Sequence, residues 1–101
     1  AAALTAFPLS AYAQTPAPAP SPAVRAMAAG YKALTVCSAL RNAAAAGGER
    51  TLESVEANEL VGIYPELQSL VAGMTAQMSG DVVSVAWDLA APPRIATPAN
   101  A

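Results

Sequence analysis

The side chains best suited to chemistry are the carboxylates in the middle of the chain. Five of the seven acids lie there: Glu49, Glu53, Glu56, Glu59 and Glu66. Neighbouring carboxylates can bind a divalent cation or act as a general acid and base. The spacing of three between Glu53, Glu56 and Glu59 instead places them along one side of a helix, and such a side is usually solvated. We therefore expect an acidic helix face and no metal site.

The sequence lacks the side chains that usually activate a catalytic nucleophile. The 101 residues contain no histidine, so they cannot supply a Ser-His-Asp or Cys-His arrangement. A serine activated by lysine needs Ser-x-x-Lys on one helix, and no serine here has a lysine three residues later. Ser38 has Arg41 at that distance, and a guanidinium is too basic to accept the proton. The sequence predicts no catalytic, cofactor-binding or metal-binding residue within the chain.

The N-terminal residues have the composition of an export signal. Residues 1–13 are mostly apolar and end in Ala11-Tyr12-Ala13, with small residues where a signal peptidase acts. Residues 14–22 carry proline at every second position from Pro16, which favours an extended linker. We therefore expect a periplasmic or secreted protein in which 1–13 is the remainder of a signal peptide, 14–22 a linker and 23–101 a small N-terminal region.

Charge and cysteine content narrow the expected partners. The net charge is −2 and the five basic residues are scattered, which argues against nucleic acid as a partner. No run of 18 apolar residues follows residue 13, so no membrane span is predicted. Cys37 is the single cysteine. In an exported chain it is either half of a disulfide whose partner lies outside these residues or a buried thiol.

Local patterns in residues 21–48 predict a helix, a strand and a loop. Alanines from Ala23 onward favour a short helix that Ser21 caps and Gly30 ends. Residues 31–40 fit a helix or a strand, and their Thr-Val content and partial alternation favour a strand. Residues 43–48 are small and end in two glycines, as in a loop.

Residues 51–79 predict two further helices. Thr51 is a suitable cap for a helix over 51–61. Pro65 suits the first turn of the next helix, which we expect to end at Ser79-Gly80. Its apolar residues recur at helical spacing: Leu67, Leu70, Val71, Met74 and Met78.

The C-terminal third predicts a β-hairpin. Residues 82–88 alternate so that Val83, Val85 and Trp87 share one face. A proline-containing turn over 89–93 would return the chain as a partner strand at 94–97. Trp87 is the largest candidate core side chain. The fold class predicted is an α+β fragment of short helices and a hairpin.

Five short segments after the linker have a familiar order and spacing. They are Ala29-Gly30-Tyr31-Lys32-Ala33-Leu34, Cys37-Ser38, Glu59-Leu60-x-Gly62-Ile63-Tyr64-Pro65-Glu66, Val83-Ser84-Val85 and Pro92-Pro93-Arg94-Ile95-Ala96. Over about residues 23–96 they resemble the N-terminal region of exported serine hydrolases of the β-lactamase and penicillin-binding-protein superfamily, of the class C or 6-aminohexanoate-dimer-hydrolase kind.

The resemblance implies that this chain is the N-terminal part of a larger α/β serine-hydrolase chain. A downstream catalytic domain would then be its partner and would form an acyl-enzyme with amides, esters or lactams through Ser-x-x-Lys and Tyr-x-Asn motifs. Neither motif is present here. Lys32 precedes Ala33-Leu34 instead of Thr-Gly, and no tyrosine has asparagine two residues later. The resemblance also implies a second cysteine after the Pro-Pro-Arg strand as the partner of Cys37, whereas residues 97–101 contain none.

Two functional hypotheses follow. The first is a non-catalytic N-terminal fragment of such a hydrolase, inactive by itself and loosely folded or prone to aggregate when alone. The second is a small secreted or periplasmic binding or structural module without enzymatic activity, which would fold cooperatively by itself.

Overall fold

One long helix organises the chain. The computed structural model describes residues 18–100, so the predicted signal remainder and the first residues of the linker lie outside the described part. Helix α1 (Pro22–Ala45) spans 24 residues. It starts as predicted, because Ser21 Oγ accepts a hydrogen bond from the Val24 N–H at 3.2 Å and a proline occupies the first turn.

Three predictions for this segment were wrong. The helix does not end at Gly30, residues 31–40 are not a strand, and residues 43–45 are helical instead of part of a loop. A glycine inside a helix costs about 1 kcal/mol relative to alanine. Alanine-rich flanks and the burial of one continuous helix face offset that cost. Gly47, with a φ of 81°, follows the helix in the left-handed region that glycine tolerates.

The next two helices are short. Helix α2 (Leu52–Asn58) begins as predicted, since Thr51 Oγ1 accepts from the Ser54 N–H at 3.1 Å, but it ends three residues before the predicted residue 61. Helix α3 (Pro65–Ala72) begins at the predicted proline but ends at Gly73, seven residues before Gly80. The predicted end at Ser79 was wrong, because the chain after Gly73 turns into an extended segment.

The strands form one antiparallel sheet of order β1-β2-β3 within the described residues. Strands β2 (Val82–Val85) and β3 (Arg94–Ala96) are the predicted hairpin, with β2 shorter than predicted. Strand β1 (Ala76–Ser79) was not predicted. It pairs with β2 across the two-residue loop Gly80-Asp81, where Gly80 has a φ of 59°. Asp81, the second central residue, has no positive φ, so the loop has the type II′ hairpin geometry.

The core lies between α1 on one side and the sheet together with helices α2 and α3 on the other. The buried face of α1 consists mainly of small residues, and it packs on β2 and β3. Short side chains let the helix axis come close to the strands. The residues that form this core are Ala28, Ala29, Ala33, Val36, Cys37, Val55, Leu60, Val71, Ala76, Val83, Val85 and Ala96. No helix of the described part is long and apolar enough to cross a membrane.

Trp87 lies at the edge of this core and not at its centre. Its ring is partly buried against the core cluster, and Nε1 donates to the Pro92 carbonyl at 3.1 Å.

We expect Trp87→Ala to lower the free energy of unfolding by about 2 kcal/mol, because only part of a large apolar side chain is lost from the interior. Urea denaturation measures this. Tyr64→Ala is the control: Tyr64 is 78% exposed, so its loss should stay within about 0.5 kcal/mol. A Trp87→Ala variant as stable as the control would contradict the partial burial.

Candidate functional site

The acidic residues do not form a site. Glu49, Glu53, Glu59 and Glu66 are exposed, whereas Glu56 is half-buried. Among the residues that the structure describes, no group of three or more histidine, cysteine or acidic side chains is placed to hold a metal ion. Two of the acids pair with bases instead. Arg50 Nη1 lies 2.6 Å from Glu59 Oε1, and Lys32 Nζ lies 3.4 Å from Glu56 Oε2.

Lys32 is the most unusual residue of the structure. It is fully buried, although lysine is almost never found so, and it lies on the core face of α1. Its Nζ donates to the Val71 carbonyl at 2.8 Å and to the Met74 carbonyl at 2.5 Å. Glu56, whose side chain is 39% exposed, accepts the third bond at 3.4 Å. All three donors of the ammonium therefore have acceptors.

These contacts give Lys32 a structural role. The last carbonyls of a helix have no partner within the helix, and a positive charge there is favourable. Lys32 brings a donor and a positive charge to this end of α3 from another helix. The Val71 carbonyl, in the last turn of α3, also accepts from the Met74 N–H at 3.2 Å, and Met74 just follows the helix. A lysine that acts as a base must reach a hydroxyl, whereas the acceptors here are two carbonyls and a carboxylate. One side chain thus joins α1, α2 and α3.

Sequence reasoning missed this role of Lys32. The signal was its helical phase: Lys32 falls three residues after Ala29 and four before Val36, within the buried face of α1. Because residues 31–40 were predicted as a strand, this phase was not used. A lysine in the apolar face of a helix indicates a buried partner.

A second polar cluster lies near the start of α1. Arg25 Nη2 is 3.4 Å from Asp88 Oδ2, and the guanidinium carbon is 6.0 Å from the centre of the Trp87 ring. Asp88 Oδ1 accepts from the Ala90 N–H at 2.8 Å. These contacts hold the turn between β2 and β3 against α1. They include no nucleophile next to a base, so the cluster offers no catalytic pair.

Cys37 is buried on the core face of α1 as a free thiol. Its Sγ lies 3.7 Å from the Asp81 carbonyl, in the contact range of a weak S–H donor. A pocket of about 270 Å³ beside it is lined by residues of α1 and the β1-β2 hairpin, among them Leu40, Met78 and Val83. A disulfide between Cys37 and a cysteine outside these residues stays a prediction.

The surface feature best suited to a partner is an apolar stripe on α1, opposite its buried face. It consists of Val24, Met27, Tyr31 and Leu34, which are 40%, 60%, 37% and 43% exposed, and we call these four residues the outer stripe. Their spacing of three, four and three is that of a helix seam that packs on another element.

Two grooves meet at the outer stripe. Tyr31 and Leu34 line one of about 800 Å³ whose far wall includes Arg50 and Glu59. Tyr31 also borders a second, of about 500 Å³, beside Tyr64 and Pro65. In helix-in-groove recognition, an exposed apolar helix face of this kind is the part that packs into a groove of the partner.

No protein-family model, curated protein or solved structure matches this chain. Any inference about function therefore rests on the geometry of the described residues. Within residues 18–100 it offers a buried lysine that links helices, a surface cluster that holds a turn, and an exposed apolar stripe. Of these, the stripe is the feature that could bind a partner.

Proposed function

We propose that this chain is the non-catalytic N-terminal region of an exported serine hydrolase of the β-lactamase and penicillin-binding-protein superfamily. Its role is to pack against a downstream catalytic domain of the same protein, which carries the acylating serine and hydrolyses amides, esters or lactams. The chain itself takes no part in the chemistry and binds no cofactor. It acts in the periplasm or outside the cell.

The observation that carries the proposal is the outer stripe. The opposite face of α1 is already buried against the sheet, yet Val24, Met27, Tyr31 and Leu34 leave a second apolar face in water. A helix that is apolar on two sides is typical of a layer inside a larger protein. The resemblance of residues 23–96 to exported serine hydrolases indicates the kind of protein. Tyr31 and Leu34 belong both to the outer stripe and to the first of the segments that carry this resemblance.

A second candidate function is a small exported module that binds or supports another protein by itself. The observation that favours it is the closure of the core around α1, since Lys32 and the two helix caps satisfy polar groups without outside help. This module would use the same outer stripe, but for a separate partner chain.

Sequencing the genomic DNA downstream of the Ala101 codon, translated in three frames, separates the two. A Ser-x-x-Lys followed by Tyr-x-Asn supports the hydrolase and fixes its catalytic residues. A stop codon with neither motif in any frame overturns the hydrolase proposal and leaves the module.

The chain as it stands is expected to be inactive. It should hydrolyse a chromogenic β-lactam or a p-nitrophenyl ester no faster than the same amount of heat-denatured chain, because it has no histidine and no serine with lysine three residues on. Absorbance assays measure the rate, and intact mass after incubation detects a covalent acyl group. A stoichiometric acyl adduct on one serine would contradict the assignment.

A further inference from the structure

The groove beside Tyr64 is apolar and aromatic. It holds about 500 Å³ and is lined by Tyr31 of α1, by residues 62–64 before α3 and by Pro65 and Leu67 in the first turn of α3. None of these residues is charged. Tyr31 is 37% and Tyr64 78% exposed, so the groove is open to another molecule. We call it the tyrosine groove.

Its two tyrosines offer hydrogen-bond donors. Among the residues that the structure describes, neither phenol hydroxyl has a hydrogen-bond partner. A tyrosine in an apolar wall can donate to a carbonyl of a ligand while its ring packs on apolar atoms. The tyrosine groove therefore suits an uncharged ligand that has apolar groups and unpaired carbonyls.

A proline-rich segment in the polyproline II conformation has these properties. Proline has no N–H, and the conformation has no internal hydrogen bonds, so the carbonyls of the segment stay unpaired. The rings present apolar surface. Because such a backbone is already ordered, its binding costs little conformational entropy, and grooves lined by aromatic residues are a recurring site for it.

The chain carries such a segment in its linker. Residues 14–22 have proline at every second position from Pro16 and contain no charged residue. Residues 18–21, which belong to the described part, are exposed. Ser21 has a φ of −65° and a ψ of 159°, close to polyproline II values. The linker is therefore accessible to another molecule.

The linker does not lie in the tyrosine groove of its own chain. Residues 18–20 are exposed and do not line this groove. Helix α1 begins at Pro22, and Tyr31 lies about 14 Å further along it. Residues 14–17 span about 12 Å as polyproline II, so even if they turned back at Pro18 they would not cover that distance. A linker in the groove has to come from another copy.

We infer that the linker of one copy of this chain binds in the tyrosine groove of a second copy. Its proline rings pack on the rings of Tyr31 and Tyr64, whose hydroxyls donate to linker carbonyls. The two surfaces differ, so the contact is head-to-tail and can continue from copy to copy. The inference does not rest on the proposed function, because neither the linker nor the groove requires a downstream domain.

The chemistry of the contact sets its strength and its salt dependence. The linker and the groove lining are both uncharged, so added salt should not weaken the association. A short segment in one groove buries less than the roughly 800 Å² per partner of a standard interface. We therefore expect reversible oligomers whose size rises with concentration.

Sedimentation equilibrium on the full chain tests the contact, with one variant of each surface. Tyr64→Ala removes the exposed wall of the groove, and Pro18→Ser with Pro20→Ser removes two rings of the linker. Each should weaken self-association about tenfold or more. The matched controls should associate like the wild type: Ile95→Ala removes an apolar side chain that is 56% exposed outside the groove, and Ala19→Ser keeps every proline.

A mixture of the two defective variants tests the head-to-tail arrangement. The Tyr64→Ala chain keeps an intact linker, and the proline variant keeps an intact groove. At a concentration where each is monomeric alone, the mixture should form a dimer with one copy of each variant. A wild type that stays monomeric at every concentration, or a mixture that forms no complex, would overturn the inference.

A third variant separates this contact from association through the outer stripe. Met27→Ser changes the most exposed member of the outer stripe and leaves the groove lining intact. Its self-association should equal that of the wild type. Association that is lost in Met27→Ser but kept in Tyr64→Ala would place the contact on the outer stripe and refute the linker contact. None of these results depends on whether a hydrolase is encoded downstream.

Discussion

Replacing Lys32 with methionine is expected to lower the free energy of unfolding by about 2–4 kcal/mol. Methionine fills similar space with apolar atoms but cannot donate a hydrogen bond. The Met74 carbonyl, which Lys32 Nζ contacts at 2.5 Å, would lose this donor inside the protein, and the Val71 carbonyl, contacted at 2.8 Å, would keep its bond from the Met74 N–H. Chemical denaturation followed by circular dichroism measures the change.

Glu56→Gln is the matched control for the Lys32 variant. It removes the only ionic partner of Lys32 seen in the described residues, at 3.4 Å and on a side chain that is 39% exposed. A solvent-screened pair of this kind contributes under about 1 kcal/mol. If Glu56→Gln destabilised the protein as much as Lys32→Met, the ion pair and not the carbonyl contacts would be the main contribution of Lys32.

The site of the effect can also be located. Loss of the Lys32 contacts should speed amide hydrogen exchange at the end of α3 and the start of β1 more than at the start of α1. Uniform acceleration along the chain would indicate a general packing defect, which would contradict the specific role given to the two carbonyls.

Local chemistry predicted several features of the fold. The caps at Ser21 and Thr51 and the proline at the start of α3 were readable because each acts within four residues. The pairing of β2 with β3 was readable from the alternation around Val83 and Val85. These features need no knowledge of distant contacts.

The features that sequence reasoning missed depend on tertiary contacts. Residues 31–40 have mixed propensities, and their helical state follows from burial of Ala33, Val36 and Cys37 against the sheet. Met78 fitted the helical period of α3, but the chain leaves the helix at Gly73 and pairs with β2. The two carbonyl bonds of Lys32 join residues 39 and 42 positions apart, so no local pattern could show them.

The close approach of α1 to the sheet leads to a further large effect. Ala33 is 1% exposed within the cluster that contains Val83, Val85 and Ala96. We expect Ala33→Leu to lower the free energy of unfolding by about 2–3 kcal/mol, because three added carbon atoms must push the helix off the strands. The control is Ala45→Leu, an exposed position at the end of the same helix, where the change should stay within about 0.5 kcal/mol. Urea denaturation compares the two. If Ala33→Leu were as stable as Ala45→Leu, there would be free space between α1 and the sheet. The small residues of α1 would then be explained by their helix propensity and not by close packing.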